Sequence, residues 1–341
     1  MMAGKVGIIA NPASGKDIRR LVAFASVCDN MEKVNMVRRS VLGMASAGVD
    51  EIIIMPDTFG IGSRVITGLE EAVDMEMMPP LSAKISLLEM PVAGTYVDSA
   101  TAARLMDREG VDCILVVGGD GTTRAVAKGC GETPILPLST GTNNVVPFMI
   151  ESTVAGLAAG LIADRTVSPK TVTARSKKLH VKKLGQDLDM ALVDVVVTDD
   201  LFVGSRAIWD MSKVRQVVVT RGEPINIGMS SISGMFLPVR MEDPFGVSLK
   251  LGKGGITVTA PIAPGLIEEV EIKEYRKIWV GEYIGVEFKP TVLALDGERE
   301  IEVYQEDDVQ IHLERDGPLI VNVEAVLGVA ATKGRFKART T

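Results

Sequence analysis

Three short stretches carry residue types and spacings suited to holding phosphate: NPASGK at 11–16, GGDGTT at 118–123 and STGTNN at 139–144. Glycine lets main-chain N–H groups converge on an anion with no Cβ in the way, and a helix beginning just beyond adds partial positive charge. Ser14, Thr122, Thr123 and Thr140 can donate hydroxyl hydrogen bonds, and Lys16 can neutralise a phosphate oxygen. Asp120 raises a question, because a carboxylate among Gly118, Gly119 and Gly121 should repel the group that those glycines would cradle. Two familiar nucleotide motifs fail on these residues. A Walker A loop would need glycine where Ala10 stands and a hydroxyl residue in place of Asp17. A dinucleotide fingerprint laid on Gly119 and Gly121 meets Arg124 at its third glycine.

The elements around these stretches place all three at strand tips. KVGIIAN (5–11), DEIIIMP (50–56), ISLLEMP (85–91), CILVVGGD (113–120) and PILPLS (134–139) read as strands. Helical segments alternate with them: a long one with a break near Asp29 that reaches Ala47, then 63–75, 99–110, about 122–128 and 152–164. Continuous Val/Ile/Leu strands separated by helices predict a Rossmann-like parallel sheet covered on both faces. In such a sheet ligands bind at the carboxyl ends of the strands. After about residue 166 the pattern becomes period-two alternation with Gly, Pro and Asp-Gly turns, which predicts an all-β sandwich. The segment 323–334 reads as a helix returning to the first domain. The expected organisation is therefore an α/β nucleotide-binding domain (1–165), a β-sandwich substrate domain (166–322) and a C-terminal helix and tail (323–341).

Composition agrees with an ordinary soluble globular protein. The 341 residues exceed the roughly 250–300 at which one core usually stops growing, so two domains are expected. No stretch approaches the ~18 consecutive apolar residues that span a bilayer. The chain runs straight into a strand with no signal-peptide pattern, which predicts a cytoplasmic protein. Cys28, Cys113 and Cys130 form no C-x-x-C pair, so neither a disulfide framework nor a zinc site is expected. The two histidines, His180 and His312, lie far from any nucleophile motif, which argues against a Ser-His-Asp hydrolase. A net charge of −7 argues against nucleic-acid binding, and the basic end TKGRFKARTT reads as a solvated tail.

GGDGT (118–122) resembles the signature of the superfamily that contains NAD kinases, diacylglycerol and sphingoid-lipid kinases and 6-phosphofructokinases. NPASGK is similar to the first turn of the NAD and lipid kinases, STGTNN to their next glycine turn, and LDGE (295–298) to the Asp-Gly-Glu of their β domain. VTAPIAPGLI (258–267) resembles the Thr-Pro-Ile-x-Pro segment of the NAD-kinase branch, and NIGMSSISG (226–234) lies where that branch has its substrate loop. These pieces follow in matching order over nearly the whole chain, with the nearest likeness to the acetoin-catabolism protein X group. The resemblance implies a two-domain, usually oligomeric (dimeric or tetrameric) kinase with its site in the cleft between the domains. Asp120 would be the general base or a metal-linked acid. Asn11, Ser14, Gly15, Lys16, Gly118, Gly119, Gly121, Thr122, Thr140, Gly141, Asn143 and Asn144 would hold the phosphates or nucleotide. Asp194, Ser230, Ser231, Asp296 and Glu298 would meet the substrate.

The cofactors implied are ATP and Mg2+. Magnesium on the ATP would offset the repulsion between Asp120 and the phosphates, since phosphoryl transfer relies on positioning and charge neutralisation. A carboxylate at the acceptor hydroxyl need not be a strong base, because its proton transfer can come late. The expected reaction is phosphorylation of a hydroxyl on NAD or a related small acceptor, giving NADP in the first case, with a link to acetoin catabolism. One departure bears on the acceptor. NAD kinases grip the dinucleotide with an Asn-Glu pair, and the matching positions here are Val193 and Asp194. Valine cannot replace an amide's hydrogen bonds. A lipid kinase and a nucleotide-binding regulatory protein without catalysis are the alternatives.

Overall fold

The computed structural model describes residues 4–14, 24, 28–199 and 210–337. Strands β1 (Lys5–Ala10), β2 (Glu51–Ile54), β3 (Lys84–Leu87), β4 (Cys113–Gly118) and β5 (Ile135–Ser139) form a parallel sheet in the order β3-β2-β1-β4-β5. Their side chains alternate between two cores, as the period-two pleat requires. On β4, Cys113, Leu115 and Val117 enter one core, while Ile114 and Val116 enter the other. Both faces are apolar, so both are covered.

One face carries α1 (Asn30–Ala47), α2 (Ile61–Asp74), α5 (Ser152–Ala163) and α8 (Val323–Thr332). The other carries α3 (Tyr96–Arg108) and α4 (Asp120–Ala127). The break expected near Asp29 is the start of α1, where the Asp29 carboxylate accepts the Glu32 N–H at 2.7 Å. Helix α3 begins earlier than the serine at 99 suggests, because Thr95 and Asp98 form a reciprocal capping box. Helices α1 and α5 meet backbone to backbone. A Cβ added to Gly156 would lie 2.0 Å from the Ser40 carbonyl oxygen, so only glycine permits this approach.

After the short helix α6 (Pro169–Val172), two further strands, β6 (Thr173–Arg175) and β17 (Leu319–Val321), extend this sheet beyond β5, with β6 antiparallel. Between them the chain builds two antiparallel sheets. The smaller holds β7 (Lys178–Lys183), β8 (Gln186–Ala191), β13 (Tyr283–Gly285) and β16 (Val309–Glu314), in the order β13-β16-β7-β8. The larger holds β9 (Asp194–Thr198), β10 (Val214–Val219), β11 (Phe245–Ala263), β12 (Leu266–Trp279), β14 (Thr291–Leu295) and β15 (Glu298–Val303), in the order β12-β11-β10-β9-β14-β15. Leu179, Val181, Ile311 and Leu313 of the first sheet pack on Val195, Val197, Val218 and Leu293 of the second, which makes the expected sandwich. The outer face of the larger sheet is covered by α7 (Met229–Phe236). Part of the stretch expected as a substrate loop is therefore a helix, its apolar Met229 and Ile232 buried on the sheet.

The two halves share a core. Met190, Leu192 and Val193, at the junction of β8 and β9, pack with Val145, Val146 and Val126 of the α/β half. No helix among the described residues is long and apolar enough to cross a membrane.

Candidate functional site

The three turns read from the sequence meet at the carboxyl ends of β1, β4 and β5. Asn11 leaves β1 with its N–H on the Val117 carbonyl at 3.3 Å, and its side-chain amide donates to Thr122 Oγ1 at 3.1 Å. Asn11 Oδ1 accepts the Ala13 N–H at 2.9 Å, and the Ser14 hydroxyl donates back to the Asn11 carbonyl at 2.8 Å. Ser14 Oγ and Thr140 Oγ1 stand 3.5 Å apart, which joins the first turn to the third. The Thr140 N–H donates to the Gly118 carbonyl at 3.2 Å. Gly15 and Lys16 lie outside the described residues.

Glycine is required at the middle turn by close approach. A Cβ on Gly118 would lie 2.6 Å from the Thr122 side chain, and one on Gly119 would lie 2.7 Å from Asn144 Oδ1. Gly119 is the N-cap of α4 and offers no side-chain cap, so Asp120 opens the helix. The Asp120 N–H donates to Asn144 Oδ1 at 3.2 Å, and the Asn144 amide donates to Ser139 Oγ at 2.7 Å. The Asp120 carboxylate accepts the Val145 N–H at 2.9 Å and the Val146 N–H at 2.8 Å. It thus ties the second turn to the third. Burial pushes the Asp120 carboxyl up to about 6; nearby Asp296 adds to this, while the Val145 and Val146 N–H groups and Arg221 oppose it. The residue as a whole is buried, at 9% exposure.

Asp296, at the turn between β14 and β15, approaches from the other half. Its carboxylate accepts the N–H groups of Leu192 (3.0 Å), Val193 (2.7 Å) and Asp194 (3.2 Å). Its side chain has 0% exposure and lies 3.7 Å from Arg124 Nε. Burial raises its carboxyl, while Arg124 and the three N–H groups oppose that. Both Asp296 oxygens thus hold main chain, and its side chain is not accessible. Arg124 also reaches Asp189 at 3.6 Å, and Lys128 bonds Asp189 at 2.6 Å, so α4 is bolted to β8 and to the β14–β15 turn. Burial disfavours the charged Asp189, but Lys128, the Met190 N–H and Arg124 outweigh it and hold the carboxyl below its usual range.

The remaining substrate candidates divide. Asp194 is buried at the start of β9, its main chain locked to Asp296 in both directions. Glu298 faces α4, with Oε1 3.3 Å from where a Gly121 Cβ would be. The Ser231 hydroxyl donates to the Gly228 and Pro261 carbonyls, at 2.6 and 3.0 Å, and braces the start of α7. Ser230 Oγ and Asn143 Oδ1 are buried with no hydrogen-bond partner. Gly141 accepts from Asn144 and shapes the third turn.

Sequence reasoning missed Arg221, which follows β10 and sits close enough to Asp120 to favour its charged form. It noted Arg124 only as a failed glycine position. It also missed a cavity of about 240 Å3 at the tips of β1, β2 and β3, lined by Asn11, Pro12, Asn30, Asp57, Phe59 and Asp98 among others. That cavity adjoins the first turn. Asp57 and Asp98 carry no signal in a single sequence, since an acid near a strand end is ordinarily a helix cap. Both do act as caps, each accepting three main-chain N–H groups. No group of three or more His, Cys, Asp or Glu among the described residues is arranged as a metal cage.

Residues 6–166 match the ATP-NAD kinase N-terminal domain family, and residues 177–316 match the acetoin catabolism protein X C-terminal domain family. Acetoin catabolism protein X of Cupriavidus necator is 38% identical over 319 residues, spanning 92% of this chain and 88% of its own. Among solved structures, a "putative diacylglycerol kinase" from Bacillus anthracis str. Sterne aligns at 14% identity with a TM-score of 0.47, covering 94% of this chain and 99% of that one. A second structure under the same description aligns at 16% identity with a TM-score of 0.47, covering 94% and 98%.

Proposed function

The chain belongs to the acetoin catabolism protein X family and carries an NAD-kinase-type N-terminal domain, and on that footing we propose that it is an ATP-dependent kinase acting on a hydroxyl of NAD or a related small acceptor. The observation that carries the reading is the convergence of three turns on Asp120, a buried carboxyl raised to about 6. The turns at Asn11, Gly118 and Ser139, which meet at the strand tips, would take the phosphates, and the adjoining cavity would take the base of the nucleotide.

Magnesium ordinarily keeps several waters and is held by one or two carboxylates together with the substrate's phosphates, so no all-protein cage is needed. Held by the donor's phosphates, the ion would neutralise charge on the transferring group, which leaves Asp120 to the acceptor. Asp120 accepts the acceptor's hydroxyl proton as the acceptor oxygen bonds to the γ-phosphorus. The bond from that phosphorus to the bridging oxygen breaks, and ADP leaves with the electron pair. Burial of Val193 in the shared core supports an acceptor that is not gripped as in NAD kinases, since no amide is offered there.

Incubation with Mg-ATP and a panel of hydroxyl acceptors headed by NAD, followed by ADP and NADP assays, is the test. ADP formed with another acceptor but no NADP would remove NAD and keep the kinase; the same assay with polyphosphate identifies the donor. A second reading, a nucleotide-binding regulatory protein, is favoured by one observation: both Asp120 oxygens already serve main-chain N–H groups. Nucleotide binding with no turnover on any acceptor would select it.

A further inference from the structure

Lys33 lies in the first turn of α1 and is wholly buried, at 0% exposure. Two effects oppose a lysine there. An ammonium withdrawn from water loses its hydration, and the N-terminal end of a helix already carries partial positive charge. The core does not call for it, since Val34 and Val37 supply the apolar packing beside it. The compensation comes from oxygens of one turn and its neighbour. Lys33 Nζ donates to the carbonyls of Ser14 at 2.7 Å and Asn11 at 3.0 Å, to Asn30 Oδ1 at 3.0 Å, and more weakly to the Pro12 carbonyl at 3.4 Å.

Asn11, Pro12 and Asn30 also line the cavity at the strand tips. The ammonium is therefore one layer of main chain behind that wall, and carbonyl dipoles that would otherwise repel an anion are neutralised by it. The acids of the same cavity, Asp57 and Asp98, are each held by three main-chain N–H groups. We infer that Lys33 is a positioning residue for a polyphosphate-bearing ligand: it sets the shape of the NPAS turn and supplies the fixed positive charge of the site. This rests on the nucleotide-donor reading above.

The experiment compares ADP with adenosine, which offers the same base and ribose without charge. Binding is measured by calorimetry at low and high salt on the full chain, with melting temperature as a fold control. Lys33→Gln is expected to weaken ADP about tenfold or more while adenosine stays within about twofold, with a shallower salt dependence for ADP. Lys33→Met, of similar volume and without charge, should show the same selective loss, and Lys33→Arg should keep ADP binding within about threefold of wild type. Equal losses of ADP and adenosine would mark a merely structural lysine and overturn the inference. So would unchanged ADP affinity in a folded neutral variant, or ADP binding by the wild type that salt does not weaken. If the wild type binds adenosine but gains nothing from ADP's phosphates, the donor reading itself falls.

Discussion

Asp120 at the tip of β4 and Asp296 at the tip of β14 are both aspartates followed by glycine, and both turn their carboxylates onto main-chain N–H groups of another segment. Burial raises the carboxyl of each, and Asp296 adds to the rise at Asp120. They differ in counter-charge. Arg124 stands 3.7 Å from Asp296, whereas no ion pair to Asp120 occurs among the described residues and Arg221 acts on it from farther off. The same short motif thus gives a tie with a cation beside it in one half and, where the three turns meet, a buried carboxylate with no cation so close in the other.

The largest test of that contrast is substitution of each aspartate. Asp120→Asn is expected to lower turnover about 10²- to 10⁴-fold, the usual range for a proton acceptor, with nucleotide affinity little changed. Steady-state kinetics beside calorimetry separates the two quantities, and equal turnover would reduce Asp120 to a second tie. Asp296→Ala should act on stability instead, costing about 3 kcal/mol in denaturant unfolding because three buried N–H groups and Arg124 lose their acceptor. The folded fraction should retain its turnover to within a few-fold.

A pH series sharpens the same point. With its carboxyl raised to about 6, Asp120 is protonated below that pH and cannot accept a proton, so turnover should fall on the acid side with a midpoint near about 6. The stability effect runs oppositely. A carboxyl raised from 3.8 favours the fold while protonated, so its contribution is full below 3.8 and is lost as pH rises through about 6. Asp120→Asn should remove both the activity step and that slope. The smallest effects lie in the bolt between the halves. Arg124→Met should cost about 2 kcal/mol, since Arg124 is buried between Asp189 and Asp296. Lys128→Ala, at a part-exposed pair, should cost less than about 1 kcal/mol by the same unfolding measurement.

Much of this was legible before any coordinates. Strands of unbroken Val and Ile, alternation after residue 166 and glycine-rich turns at strand ends are local patterns, and each reports burial on one or both faces of its own element. The parallel sheet, the sandwich and the meeting of Asn11, Asp120 and Thr140 follow from them. The family resemblance puts a substrate loop at NIGMSSISG, yet part of that stretch departs from it despite its serines and glycines. It is helical because Met229 and Ile232 gain burial on the larger sheet, which outweighs propensity.

Lys33, Arg221 and the partner of Arg124 gave no signal, since each acts across a long gap in the chain. Lys33 reaches back to a turn about twenty residues earlier, and Arg124 meets an aspartate from the opposite end of the sequence. By itself the sequence determined the kinds of element, the family and the turns where an anion could sit, because these depend on neighbours along the chain. Only the tertiary structure decided which carboxylate has a cation beside it, and where the buried charges lie. Desolvation and Coulomb interaction depend on distance in space, and the chain order does not encode that distance locally.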